Sequence, residues 1–225
     1  MYIDILSLLR YRIRKKEGVK ERILQLEKKI IVAGYIGLEG SLQVAKEKEE
    51  ELEQHFSKYF MNQIKECEKY LISSRNLEGM KSEQNINLVE SLRKENVKEA
   101  KGEEGVMIPL GDLGEELSYL SLWSALWNLC ESWKMGVEVE FSKIPIRQET
   151  IEVCQFASLN PYQISSKGSF LIFTSKPEEM MEELEKKEIP ANIIGEITNK
   201  RERLIKRGDY IRHLPRPMTP HEFGY

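Results

Sequence analysis

Four residues near the start of the chain have the types and spacing to hold an anion. In KKIIVAGYIGLEGSLQVAKEKEEELE, residues 28–53, the short apolar run Ile30–Ala33 leads into Gly34, Gly37 and Gly40. From Ser41 onward the composition is that of a strong helix. A glycine turn that opens a helix can aim backbone N–H groups at phosphate, so Gly37, Glu39, Gly40 and Ser41 are candidate ligand-binding positions. Glu39 argues the other way, because its carboxylate repels phosphate unless a cation intervenes. Tight strand-to-helix packing explains the glycines equally well. The remaining reactive side chains are scattered. Cys67, Cys130 and Cys154 are odd in number and widely spaced, with no CxxC and no Cys/His cluster. They read as reduced, buried thiols of a cytoplasmic protein. With His55, His213 and His221 equally dispersed, no metal site is expected. His221 and Glu222 are adjacent in the tail, without the fixed geometry that acid–base catalysis needs. No catalytic residue is assigned.

The elements that must position these residues are clearest between Gly136 and Asn199. Val137, Val139 and Phe141 alternate with Glu138 and Glu140, the period of a strand with one covered face. Pro145 precedes a helical run, Ile146 to Ser158, with Ile151 and Phe156 among its apolar positions. Ser169–Thr174 follows Gly168, and its FLIF run is continuously apolar, which predicts a strand inside its sheet. Ser175 is placed to cap the next helix, with Pro177 near its start and Glu178 and Glu179 in its first turn. After Pro190, Ala191–Ile197 makes a third strand. Upstream, Glu47–Glu53 is a solvated helical face, and Phe56–Ser74 continues helical with an apolar stripe. Val106–Leu110 is strand-like. Leu120, Trp123, Leu126, Trp127, Cys130 and Trp133 then repeat at helical spacing, and with Leu122 and Leu129 they predict a helix covered on much of its circumference. Arg203–Lys206 and Tyr210–Leu214 flank Arg207-Gly208-Asp209 as a hairpin, and Pro215, Pro217 and Pro220 extend the rest.

The chain has 225 residues, 40% hydrophobic and 32% charged, with a formal net charge of −3. This is ample for a core and gives no general attraction to nucleic acid or anionic membrane. Residues 1–27 form a separate helical segment in this reading. Ile5, Leu8, Leu9 and Ile13 line one face, and the basic run from Arg10 to Lys16 lies mostly off it. Its charge order is the reverse of a secretory signal, and its apolar run falls far short of the roughly 20 residues of a membrane span. It is read as a helix packed on its own domain; membrane contact is the other use of such a segment. Residues 28–225 form the main domain, with a polar insertion at about 75–105.

KIPIRQET, the LNPY turn, KGSFLIFT and IPANIIGEIT resemble, in that order, the C-terminal domain of AIR synthase-related proteins (PurM-like), closest to the hydrogenase maturation factor (HypE-like) branch. The resemblance implies an α/β (α+β) fold: a mixed β-sheet flanked by helices. It also implies a ligand loop ahead of the helix containing SALWNL, Ser124–Leu129. There the family's Gly-Gly falls on Leu120-Ser121, and its acidic and hydroxyl positions fall on Glu116 and Ser118. Asp112, between Gly111 and Gly114, is the alternative site of a displaced turn. Leu and Ser in place of two glycines close the backbone's approach to a ligand. In the maturation enzyme a C-terminal cysteine accepts a carbamoyl group and is dehydrated to a thiocyanate at the expense of ATP. This chain ends HEFGY, its last cysteine is Cys154, and only about 27 residues precede the Ile30 strand. The resemblance thus runs from about Lys28 onward and omits the ATP-binding half.

Three functions follow as expectations. The preferred one is a non-catalytic, degenerate relative acting as an interaction or assembly module, pairing with itself or with a full-length superfamily relative. No cofactor is expected, and ATP and Mg²⁺ enter only if a nucleotide domain is supplied in trans. The alternative is an ATP-dependent maturation or ligase-type enzyme completed in that way by another chain. The third is a small-ligand or peripheral membrane-binding protein.

Overall fold

Continuous apolar runs mark the strands covered on both faces, and alternation marks those with one covered face. The computed structural model describes residues 29–72, 106–110 and 121–217. Its strands are β1 (Lys29–Ala33), β2 (Val106–Pro109), β3 (Gly136–Glu140), β4 (Phe170–Thr174), β5 (Ala191–Thr198), β6 (Arg203–Arg207) and β7 (Tyr210–His213). They make one seven-stranded sheet in the order β2-β4-β1-β5-β3-β6-β7. All neighbours are antiparallel except β3 and β6, which run parallel. The helices are α1 (Leu38–Glu47), α2 (Glu49–His55), α3 (Lys58–Glu66), α4 (Leu122–Trp133), α5 (Gln148–Phe156) and α6 (Pro177–Lys186). This is the mixed sheet flanked by helices expected from the sequence.

The continuous apolar run of β4 is buried at every position, as its place between β2 and β1 requires. Leu171 and Phe173 join Ile30 and Val32 of β1 on one face, against Leu122, Trp123 and Leu126 of α4. Phe170 and Ile172 join Ile31 and Ala33 on the other, against Met180 and Leu184 of α6. A third cluster lies among the helices themselves: Leu38 and Leu42 of α1, Leu52 of α2, Met61 and Ile64 of α3, and Val153 of α5. Helix α4 is covered much as its pattern implies, with Leu122, Trp123, Ala125, Leu126, Leu129 and Cys130 all buried. The hairpin of β6 and β7 forms with Gly208 and Asp209 as its two-residue turn.

Several local expectations are corrected. Helix α1 begins at Leu38 rather than Ser41, because Gly37 takes a left-handed φ of 70° at the cap and its carbonyl already accepts from Ser41 N–H. Helix α5 begins at Gln148 rather than Ile146, and Ile151 is exposed on it. The stretch from Phe56 is not one helix. Phe56 and Ser57 are extended between α2 and α3, Ser57 Oγ accepts from Phe60 N–H as the new cap, and Cys67–Tyr70 finishes in a 3₁₀ turn. Ser175 does not cap α6. Lys176 stands at that position, and its N–H donates to Thr174 Oγ1 at 3.0 Å. The N-terminal segment, the whole polar insertion and the end of the tail lie outside the described residues.

Candidate functional site

The glycine turn ahead of α1 is built against the loop that follows α5. Gly37 N–H donates to Ser166 Oγ at 3.0 Å, and Gly40 N–H donates to the Ser165 carbonyl at 3.0 Å. Ser41 is buried, and its hydroxyl donates to the Leu38 carbonyl at 2.8 Å beside Thr150 Oγ1 at 3.2 Å. A Cβ on Gly40 would lie 2.9 Å from Ser165 N, so the glycine is needed for close approach of protein to protein. Glu39 stands at the edge of the turn, its carboxylate accepting from the Gln43 side-chain amide one helical turn on. Gly37, Gly40 and Ser41 are thus brought together, but the amides of all three are directed at protein acceptors. A phosphate arriving here would have to displace Ser165 and Ser166.

The second expected locus, ahead of α4, is described from Ser121. Ser121 is fully buried and caps the helix, its Oγ accepting from Ser124 N–H at 3.3 Å, while Trp123 N–H reaches the Tyr162 carbonyl at 3.4 Å. Serine at this place therefore closes the helix start as a cap does. Asp112, Glu116 and Ser118 lie outside the described residues, as do Leu120, His221 and Glu222.

Two clusters were not found by sequence reasoning. In KIPIRQET, Arg147 makes a two-pronged ion pair with Glu149, Nε to Oε2 at 3.0 Å and Nη2 to Oε1 at 2.8 Å. Its guanidinium also lies 4.3 Å from the Tyr70 ring centroid and 5.4 Å from that of Tyr35. Burial pushes the Glu149 carboxyl up, but hydrogen bonds from Arg147 and from its own backbone outweigh this and hold it below its ordinary value. The Glu149 hydrogen bond in turn raises Arg147. This is a structural clamp joining α5 to the end of the 3₁₀ turn. The signal was the Arg-x-Glu spacing at a helix start.

The other cluster sits where the hairpin meets the loop after β3. Phe141 stands 4.9 Å from Tyr162, and Tyr162 stacks on Trp123 at 5.3 Å. The guanidinium groups of Arg207 and Arg212 each lie 5.8 Å from the Phe141 ring. Burial pushes the Tyr162 phenol up, and the two arginines oppose that shift. The sequence places Arg207 in the hairpin turn and Arg212 in its second strand; the structure puts Arg207 at the end of β6, and the convergence of the two on one ring follows only from the register.

Burial also pushes up all three thiols, Cys130 and Cys154 to about 12. Among the described residues no group of three or more His, Cys, Asp or Glu could hold a metal ion. No helix among them is long and apolar enough to cross a membrane.

Residues 121–207 match the family described as AIR synthase related protein, C-terminal domain. No curated protein matches the chain. Among solved structures, the HypE–HypF complex is similar at a TM-score of 0.54 and 17% identity, covering 85% of this chain and 53% of that one. The hydrogenase maturation protein HypE in complex with ATP has a TM-score of 0.54 at 14% identity, covering 86% and 52%. Thiamine-monophosphate kinase from Stenotrophomonas maltophilia K279a has a TM-score of 0.50 at 11% identity, covering 80% and 50%. This chain therefore spans about half the length of each, and the likeness to them is one of fold. Family match and fold likeness meet on one stretch: residues 121–207 are similar to the AIR synthase related protein, C-terminal domain.

Proposed function

We propose that the chain is a non-catalytic, degenerate relative of the AIR synthase and hydrogenase-maturation proteins, working as an interaction or assembly module. The observation that carries this reading is the closed glycine turn. Its amides at Gly37, Gly40 and Ser41 are engaged by Ser166, by Ser165 and by the turn's own carbonyl, and Glu39 adds negative charge beside them. Such a turn is organised for packing and does not fit a phosphate. The fold likeness to a HypE–HypF complex supports a protein partner. The partner classes that suit the reading are a second copy of this chain and a full-length relative, in a cytoplasmic setting.

A second reading is favoured by the likeness to HypE in complex with ATP. In it, the chain completes an ATP-dependent maturation or ligase-type enzyme whose nucleotide domain lies on another chain, and ATP with Mg²⁺ binds only in the assembly. Isothermal titration with Mg-ATP and a non-hydrolysable analogue, with oligomeric mass measured on the same sample, separates the two. The expected result is no heat up to millimolar nucleotide and a mass above the monomer. Micromolar binding by the isolated chain overturns the non-catalytic reading, and binding that appears only with a full-length relative replaces it with the second.

A further inference from the structure

Residues 200–216 concentrate seven Lys or Arg against two acids in a chain whose formal net charge is −3. Part of that charge is neutralised locally: Arg203 pairs with Glu131, and Lys206 with Glu138. Arg207 and Arg212 have no ion-pair partner among the described residues. Pairing of Ile205 with Arg212, and of Arg207 with Tyr210, puts Ile205, Arg207, Tyr210 and Arg212 on one face of the hairpin. There they border an open groove of about 520 Å³ whose floor is Phe141. Tyr210 and Ile211 are 84% and 59% exposed, the first and second most exposed positions among the large hydrophobics at this edge.

Among the described residues β7 is also the last strand of the sheet. A two-residue turn closes the Arg207–Tyr210 pair with hydrogen bonds, and the alternation of an antiparallel ladder then bonds Arg212 and Leu214 inward. Leu214 N–H does donate to the Arg203 carbonyl at 2.8 Å. Ile211 and His213 therefore turn their backbone groups outward, along an edge beside two guanidinium groups that have no ion-pair partner among the described residues. A second copy of the same basic edge would oppose like charges. An acidic extended chain would satisfy both the backbone and the arginines.

We propose that β7 is a docking edge for an acidic, extended protein segment. The segment adds as an eighth strand and carries carboxylates two residues apart, on the face of Arg212 and Arg207. This proposal rests on the interaction-module reading and gives it a surface. The two fail separately: that reading is decided by nucleotide binding and mass, this one by peptide binding.

The test is fluorescence anisotropy of the full chain with a labelled Thr/Val peptide bearing two Glu at positions i and i+2. The same peptide with Gln for Glu, and a ten-residue oligothymidylate, serve as comparisons. Arg212→Glu is expected to weaken the Glu peptide at least tenfold with thermal melting unchanged, and the Gln peptide to bind at least tenfold more weakly than the Glu peptide. Ile211→Pro removes an outward N–H without taking one from the ladder, and it should weaken the Glu peptide to a similar degree. Equal affinity for Glu and Gln peptides overturns the proposal. So does oligothymidylate binding that exceeds peptide binding and survives Ile211→Pro, which would make the groove a phosphate-polyanion site.

Discussion

At Gly37 the backbone enters α1 with φ +70°, and a Cβ there would stand 2.5 Å from the Pro161 carbonyl oxygen. At Gly208 it reverses between β6 and β7 with φ +56°, and a Cβ would meet nothing within 4 Å. Both turns use a left-handed glycine to present backbone groups. One has its donors taken by the Ser165–Ser166 loop, whereas the other leaves an edge strand and two arginines facing solvent. Glycine and exposed amides alone do not mark a ligand site; what occupies the amides does. In this chain the turn that looks like a phosphate cradle is an internal joint, and the turn that looks like a finishing hairpin carries the open chemistry.

The largest effect that would sharpen this contrast comes from Gly37→Ala. An L-residue in the left-handed region costs about 1–2 kcal/mol, and moving the 160–163 backbone out of overlap adds a cost of similar size or more. Chemical denaturation should show a loss of about 4 kcal/mol in total. A loss below about 1 kcal/mol would mean that the turn is loose enough to admit a ligand, which would break the comparison.

Next in size is the clamp that holds the closed side together. Arg147→Ala strands the Glu149 carboxylate, 7% exposed, beside Cys67. Removing one partner of a buried pair costs about 3 kcal/mol. Because the folded Glu149 carboxyl is held below its ordinary value of 4.5, its stabilising contribution is complete above that pH. The contribution is lost as pH falls through the depressed folded value. Glu149→Gln should therefore lower neutral-pH stability and flatten the acid limb of the stability curve below about pH 4.5. An unchanged acid limb would show that Glu149 is not held low by Arg147.

Most of the sheet was legible because its signals are local. FLIF declared an interior strand through apolar continuity, and Val137–Glu140 declared one covered face through alternation. What the sequence concealed was contact between distant segments. Ser165 and Ser166 look like loop residues, yet they close a turn some 130 positions away; no spacing rule connects Gly37 with Ser166. The start of α1 was misplaced for the same reason, since Gly37 takes the cap with its N–H bonded to the distant Ser166. Arg207 and Arg212 converge on Phe141 through strand register, which depends on β3 and β6 pairing in parallel across the 62 residues between them. The hairpin was legible from its turn, but not which of its charges would lack an ion-pair partner among the described residues.

Gly208→Ala is the smallest test and the one that isolates backbone strain from packing. With no atom near the added methyl, the only cost is the left-handed φ at the first turn position, about 1 kcal/mol. Asp209 is not at positive φ, so the turn has the pattern in which glycine is demanded at the first central residue alone. The hairpin lies at the sheet edge and β7 is exposed throughout, so a strained turn can relax by fraying β7 without disturbing the core. Global unfolding should accordingly shift by about 1 kcal/mol or less. Amide exchange at Arg212 and Leu214, the inward-bonded positions, should accelerate about fivefold, which is the rate equivalent of 1 kcal/mol for a local opening. Exchange at β4 and β1 should stay unchanged. If the core amides accelerated with those of the hairpin, β7 would be an integral part of the folding unit, and a partner strand could not be added there without cost to the whole sheet.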